Sequence, residues 1–329
     1  MPPADICFFA TSKSGLGHLR RSATIVRRIK EIAPERRVHL ISNAMPDGLS
    51  AADLQGFASV QVVARDRMAT EAQFPPGSTM VLDTITVPGL EETSGPLALV
   101  LREAPEMALD RFRLPGGRPW DLVVVANPRD HWMPPDHAFA ARRIDPVGWI
   151  YRPTGPRMAQ EGGPLQVLVA TGGGGTQATA QVIYAQIDHL LAQVRLRTCR
   201  RFDVVQAIGP RAADFGTLTG AGRVLDPGPA LNDHFRAADI VISTAGYNSV
   251  LELATTDTPS LLVPIPRSID DQTARARLWA GQLGGWYDSD APQHAADWLA
   301  HQIDRPSRRP PADLGPSGET RAAHAILAL

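Results

Sequence analysis

The sequence predicts an α/β protein made of two doubly wound, Rossmann-like domains that face each other across a cleft. Three observations carry this expectation. Short runs rich in Val, Ile and Leu alternate with amphipathic stretches; the strand–helix pattern starts twice, near Ile6 and near Gln166; and a glycine-containing turn directly follows each first strand. Continuous apolar strands separated by helices signal a parallel sheet covered on both faces. In such sheets ligands sit beyond the carboxyl ends of the strands, where the strand order reverses.

The first unit opens with an apolar run at 6–11, a turn at 14–17 and an amphipathic helix at about 18–32. Further strands are expected at 38–42, 60–64, 80–83 and 122–126. Residues 127–163 are rich in Pro and Gly, and 151–163 reads as the link between the units. The pattern then restarts: a strand at 166–171, a turn at 172–175 and a helix at 177–194. Strands at 203–208, 223–225, 240–243 and 261–263 follow, and a helix at 270–283 closes the series. The segment 305–316 reads as irregular, and 319–329 as a helix that returns to the first unit. The expected domains are therefore 1–152, on the acceptor side, and 153–310, on the donor side, with 311–329 packing back.

Bulk properties agree and exclude several function classes. A chain of 329 residues suits two domains of ordinary size, roughly 100–200 residues each. A net charge of −1 projects no field toward nucleic acid or membrane. The basic residues of the first helix, Arg20, Arg21, Arg27, Arg28 and Lys30, read as a solvated face. The two cysteines, Cys7 and Cys199, lie one in each half and form neither a disulfide framework nor a metal cluster. Asp5 interrupts the N-terminus, and its apolar run is too short for a signal peptide. No stretch approaches the ~18 apolar residues of a membrane span. A cytoplasmic protein is expected, with membrane contact at most peripheral.

Two turns carry the binding chemistry. Gly172, Gly173, Gly174 and Gly175 leave a strand and open a helix. Without side chains the backbone can approach an oxyanion, and the helix adds free N–H groups and the positive end of its dipole. No Gly-Lys-Ser/Thr follows, so this is not a Walker A loop. The second turn holds Thr244, Gly246, Asn248 and Ser249, again between strand and helix. Two anion-binding turns suit a diphosphate. Glu252, one helical turn beyond Ser249, could accept hydrogen bonds from a pair of ribose hydroxyls or simply complement the helix dipole. Asp270, Asp271 and Gln272 could hold sugar hydroxyls or cap a helix.

The stretch 238–253, with 259–264 and Asp271-Gln272, resembles the C-terminal donor domain of the MurG-like glycosyltransferases (family 28). Gly15-Leu16-Gly17-His18-Leu19-Arg20-Arg21 is similar to the first loop of a closely related group known only as predicted glycosyltransferases. The resemblance implies the GT-B fold and a nucleotide diphosphate sugar, a UDP-sugar, as donor, with no cofactor and no metal. It implies that Gly17, Gly172 to Gly175, Thr244, Gly246, Asn248 and Ser249 hold the diphosphate, Glu252 the ribose, and Asp271 and Gln272 the sugar. It is weak across 46–118, so the acceptor does not carry over. The expected reaction is an inverting transfer to a hydroxyl or amine, with His18 as general base, since imidazole changes charge near neutral pH. Asp83 ends a strand and could orient His18, bind the acceptor or serve as a structural cap; Arg21 and Arg129 are placed on the acceptor side. Gly17, His18 and Arg21 are equally similar to nucleotide-sugar hydrolases of the PseG type, where water attacks, and a non-catalytic nucleotide-sugar-binding relative is the third reading. Asp288-Ser289-Asp290 reads as a surface loop and not a metal motif, and His131, Asp136 and His137 lack a fourth ligand.

Overall fold

The computed structural model describes residues 4–11, 16–45, 49–155, 158, 163–172, 176–267 and 270–329. The N-terminal sheet contains β1 (Ile6–Phe9), β2 (Val38–Ser42), β3 (Ser59–Val62), β4 (Thr79–Asp83), β5 (Leu97–Leu101), β6 (Leu122–Val125) and β7 (Ile144–Pro146). Its order is β3-β2-β1-β4-β5-β6-β7, with every pairing parallel. The C-terminal sheet contains β8 (Leu165–Ala170), β9 (Phe202–Ala207), β10 (Arg223–Leu225), β11 (Ile240–Thr244), β12 (Ser260–Val263) and β13 (Gly284–Trp286). Its order, β10-β9-β8-β11-β12-β13, repeats the same winding, again parallel throughout. The α-helices are α1 (Gly17–Ile32), α2 (Ala51–Gln55), α3 (Met68–Glu71), α4 (Gln177–Arg195), α5 (Leu231–Ala237), α6 (Tyr247–Ala254), α7 (Gln272–Leu283), α8 (Pro292–Asp304) and α9 (Glu319–Leu327).

β1 shows why the strands read as unbroken apolar runs. Ile6 and Phe8 pack with Leu19, Ala23 and Val26 of α1, whereas Cys7 and Phe9 join a second core with Met68 and Phe112. Successive side chains point to opposite faces, and both faces are covered. The first of these cores runs on into the C-terminal half through Leu168, Ala170, Tyr247 and Trp279. α9 buries Ala322, Ala323, Ala325 and Ile326 and packs against α1 and β6. Arg152 pairs with Asp53 through two hydrogen bonds of 2.7 and 3.0 Å, while Thr154 bonds Glu252 O and Thr255.

Seven of these elements lie outside the sequence expectation: β5, β7, β13, α2, α3, α5 and α8. β7 and β13 have only three residues each, and β13 is Gly-Gly-Trp, so neither carries a period of two. The expected start of α7 at 270 moves to Gln272 because Asp271 caps it.

Candidate functional site

Strand order reverses between β1 and β4 in one sheet and between β8 and β11 in the other, and the loops leaving these strands face each other. Between them lies a cleft of about 550 Å³. Thr11, Gly17, His18, Arg20, Arg21 and Thr84 line one wall; Gly172, Thr244, Gly246, Asn248, Ser249 and Glu252 line the other.

The N-terminal wall is organised around Asp83, at the end of β4 and fully buried. His18 Nδ1 lies 2.8 Å from Asp83 Oδ1. The ionised carboxylate can only accept, so Nδ1 is the donor in this pair, and in the neutral imidazole the lone pair is then on Nε2. Arg21 Nε donates to Asp83 Oδ2 at 3.0 Å, and its Nη2 donates to Asp83 Oδ1 and, at 2.8 Å, to Thr84 Oγ1. Ser22 Oγ adds a longer contact of 3.4 Å. Burial alone would push the Asp83 carboxyl up, but the Arg21 guanidinium and the His18 hydrogen bond outweigh it and hold the group well below the usual carboxylate range. Thr84 sits at φ +54°, a left-handed conformation that a β-branched residue rarely adopts. Its N–H and hydroxyl both donate to Val100 O. His18 is the exposed member of the set, its side chain 24% accessible.

Arg21 therefore differs from its expected part. Its side chain is only 2% accessible, and its guanidinium is engaged by Asp83 and Thr84, so it holds Asp83 and is not free to meet an acceptor. Arg129 lies on an exposed turn and is not among the cleft-lining residues. Arg65 and Arg111, which sequence reasoning missed, line the cleft together with Ile85 and Phe112 of the N-terminal half.

The C-terminal wall works differently. Gly172 takes φ +63° at the end of β8, and Thr176 caps α4 by accepting from Thr179 N. Gly173, Gly174 and Gly175 lie outside the described residues. Gly246 starts α6 with no side-chain cap, which leaves the first N–H groups of the helix open to the cleft. A methyl group on Gly246 would stand 3.9 Å from both Thr244 Oγ1 and Ser249 Oγ, so these two hydroxyls flank the turn. Asn248 Nδ2 reaches across to Gly17 O at 2.9 Å. Glu252 is buried, and Arg20 Nη1 lies 3.5 and 3.4 Å from its two oxygens. Burial pushes the Glu252 carboxyl up, and Arg20 only partly offsets this.

The pair at 271–272 divides. Asp271 is exposed and accepts from Ala274 N at 2.9 Å as the cap of α7. Gln272 lines the cleft, accepting from Ile265 N and donating to Asp270. The acid that faces the cleft is Asp270, paired with Arg102 at 2.9 Å and Arg275 at 2.7 Å. Arg275 also pairs with Glu103, so Arg102 and Glu103, immediately after β5, tie α7 to the N-terminal domain. Asp290 N bonds Asp288 Oδ1 in an exposed turn outside the cleft lining. His131 stacks near Trp149, and His137 meets Glu106. Among the described residues no three His, Cys, Asp or Glu converge as a metal site, and no helix is long and apolar enough to cross a membrane.

Residues 166–314 match the glycosyltransferase family 28 C-terminal domain. The C-terminal half of this chain is therefore similar to the donor-side domain of the family 28 glycosyltransferases. The UDP-N-acetylglucosamine–N-acetylmuramyl-(pentapeptide) pyrophosphoryl-undecaprenol N-acetylglucosamine transferase of Albidiferax ferrireducens is 29% identical over 186 residues, 55% of this chain and 45% of that protein. The matched stretch thus spans less than half of that relative's length. The crystal structure of Acinetobacter baumannii MurG superposes with a TM-score of 0.55 at 14% identity, covering 99% of this chain and 100% of that one. A putative UDP-N-acetylglucosamine 2-epimerase from Listeria monocytogenes superposes with a TM-score of 0.56 at 11% identity, covering 99% and 96%. The fold is GT-B, and at these identities the superpositions speak for the fold alone.

Proposed function

We propose that this chain is a cytoplasmic glycosyltransferase. It moves a sugar from a UDP-sugar to a hydroxyl or amine of a small-molecule acceptor, with inversion at the anomeric carbon and without a metal. The observation that carries the reading is His18, held through Nδ1 by buried Asp83 on a cleft whose other wall lies in the segment that matches family 28. The uridine donor is supported by the name of the Albidiferax relative.

The acceptor hydroxyl attacks the anomeric carbon and His18 Nε2 takes its proton. Asp83 stabilises the imidazolium that forms, as an anion already paired and needing no rearrangement. The nucleoside diphosphate leaves toward the open N–H groups of α6 and the hydroxyls of Thr244 and Ser249, while Glu252 accepts from the ribose. Arg65 and Arg111 favour an acceptor that carries negative charge.

The same His18 could activate water, and this is the hydrolase alternative. Turnover of a panel of UDP-sugars, followed by anomeric NMR with and without candidate acceptors and with and without EDTA, tests each part. Acceptor-dependent turnover with inverted product and full activity in EDTA is expected. Equal turnover without acceptor shows a hydrolase; loss in EDTA removes the metal-free part; no nucleotide binding by calorimetry sinks the whole reading.

A further inference from the structure

Arg20 has no place in the mechanism so far. It lies in the first turn of α1, on the N-terminal domain, yet its guanidinium reaches the donor wall. Nη2 donates to Pro229 O at 3.1 Å, while Nη1 stands 3.5 and 3.4 Å from the Glu252 oxygens. Charge-assisted pairs usually close to about 2.7–2.9 Å. The contact is loose, although Glu252 is 96% buried (4% accessible) and faces the cleft. Its carboxylate therefore retains acceptor capacity for two hydroxyl donors. The turn 244–249 offers N–H groups, hydroxyls and an amide but holds no cation. A departing nucleoside diphosphate gains negative charge there, one helical turn from Glu252, in the cleft that Arg20 also lines.

We propose that Arg20 supplies the positive charge for the donor's diphosphate from the opposite domain, and that Glu252 parks its guanidinium until ribose hydroxyls occupy the carboxylate. This rests on the donor reading above. As the bond from the anomeric carbon to oxygen breaks, the electron pair stays on the β-phosphate oxygen, and Arg20 meets that charge while His18 holds the acceptor's proton. The arrangement links donor binding to closure: Arg20 can grip the diphosphate only with the two walls together.

The test compares UDP with UMP by calorimetry on the full chain, in R20Q and R20K, with thermal melting to check folding. A guanidinium on the terminal phosphate predicts that R20Q weakens UDP by about 10-fold or more and UMP by no more than about twofold. R20K keeps the charge without the planar fork and should fall between. If R20Q weakens both nucleotides equally, or neither, Arg20 serves only to hold Glu252 or the domains and the proposal is overturned. Should R20Q fail to fold, R20K decides by the same ratio of UDP to UMP affinity. If the unaltered chain binds no nucleoside diphosphate, the donor reading falls and the role of Arg20 falls with it.

Discussion

After β1 the chain enters α1 and presents an imidazole and two guanidinium groups: His18, Arg20 and Arg21, with His18 and Arg21 set against Asp83. After β11 the same strand–turn–helix unit enters α6 and presents glycine, hydroxyls and an amide. The two walls share a topology, yet one is built from titratable and charged side chains around a buried carboxylate and the other from backbone and neutral polar groups. The difference matches the two tasks of the proposed transfer. A proton must be taken at one place, which demands a side chain of fixed tautomer. A diphosphate must be held without exchange of protons, which open helix N–H groups do at no reorganisation cost.

The sharpest way to break this division is His18→Ala. If the walls divide the work, turnover should fall by about 10²–10⁴-fold, the usual span for a general base, while UDP affinity measured by calorimetry stays unchanged. A parallel loss of UDP binding would show that His18 itself grips the donor, and the separation of proton transfer from diphosphate binding would fail.

Asp83→Asn tests the counter-ion beneath that wall. The substitution leaves Arg21 charged and buried with its partner gone, which costs about 3–5 kcal/mol by the usual magnitude for breaking a buried pair. Urea unfolding at neutral pH should show this loss. The sign with pH follows from the depressed carboxyl of Asp83. Its folded value lies below the unfolded value of about 3.9, so its stabilisation is fully present above that value and fades as pH falls from about 4 toward the folded value. The gap between the unaltered chain and Asp83→Asn should therefore be widest at neutral pH and narrow below about pH 4. A gap that stays constant with pH would mean that packing, and not charge, accounts for the loss. Turnover should drop as well, because an amide at 83 no longer fixes the proton on Nδ1 of His18.

The donor wall was legible in the sequence because its signals are local. Gly246, Asn248, Ser249 and Glu252 fall within one turn and one helix, and spacing alone places them on the cleft. The acceptor wall was less so. His18 and Asp83 are 65 residues apart, and their contact depends on β1 and β4 lying side by side, which the strand order decides. Arg102 and Glu103 follow β5, an element absent from the sequence reading, so their reach to Asp270 and Arg275 had no local trace. A strand boundary placed at β5 would have flagged them, since residues just past parallel strands face the ligand side. Arg129 met that same criterion after β6 and still points outward, because the turn at Pro128 carries it away from the cleft. Asp271 was favoured over Asp270 by resemblance, and the one-residue difference is set by which acid caps α7.

Two glycines, one on each wall, bring the comparison to its smallest measurable scale. Gly172 takes φ +63° with open space around it, so Gly172→Ala meets no clash but adopts a left-handed conformation that costs an L side chain about 1–2 kcal/mol. Gly17 has an ordinary φ, and a methyl there would touch Asn248 Nδ2 at 3.4 Å, a normal contact distance. Gly17→Ala should change folding stability by no more than about 0.5 kcal/mol. The methyl nonetheless projects between α1 and the donor turn, where Gly17 O accepts from Asn248. UDP affinity should fall a few-fold in Gly17→Ala at nearly unchanged melting temperature, and the melting temperature should fall in Gly172→Ala. If Gly17→Ala binds UDP as the unaltered chain does, the donor lies clear of α1 and the glycine before His18 serves only to let the helix start close to the opposite wall.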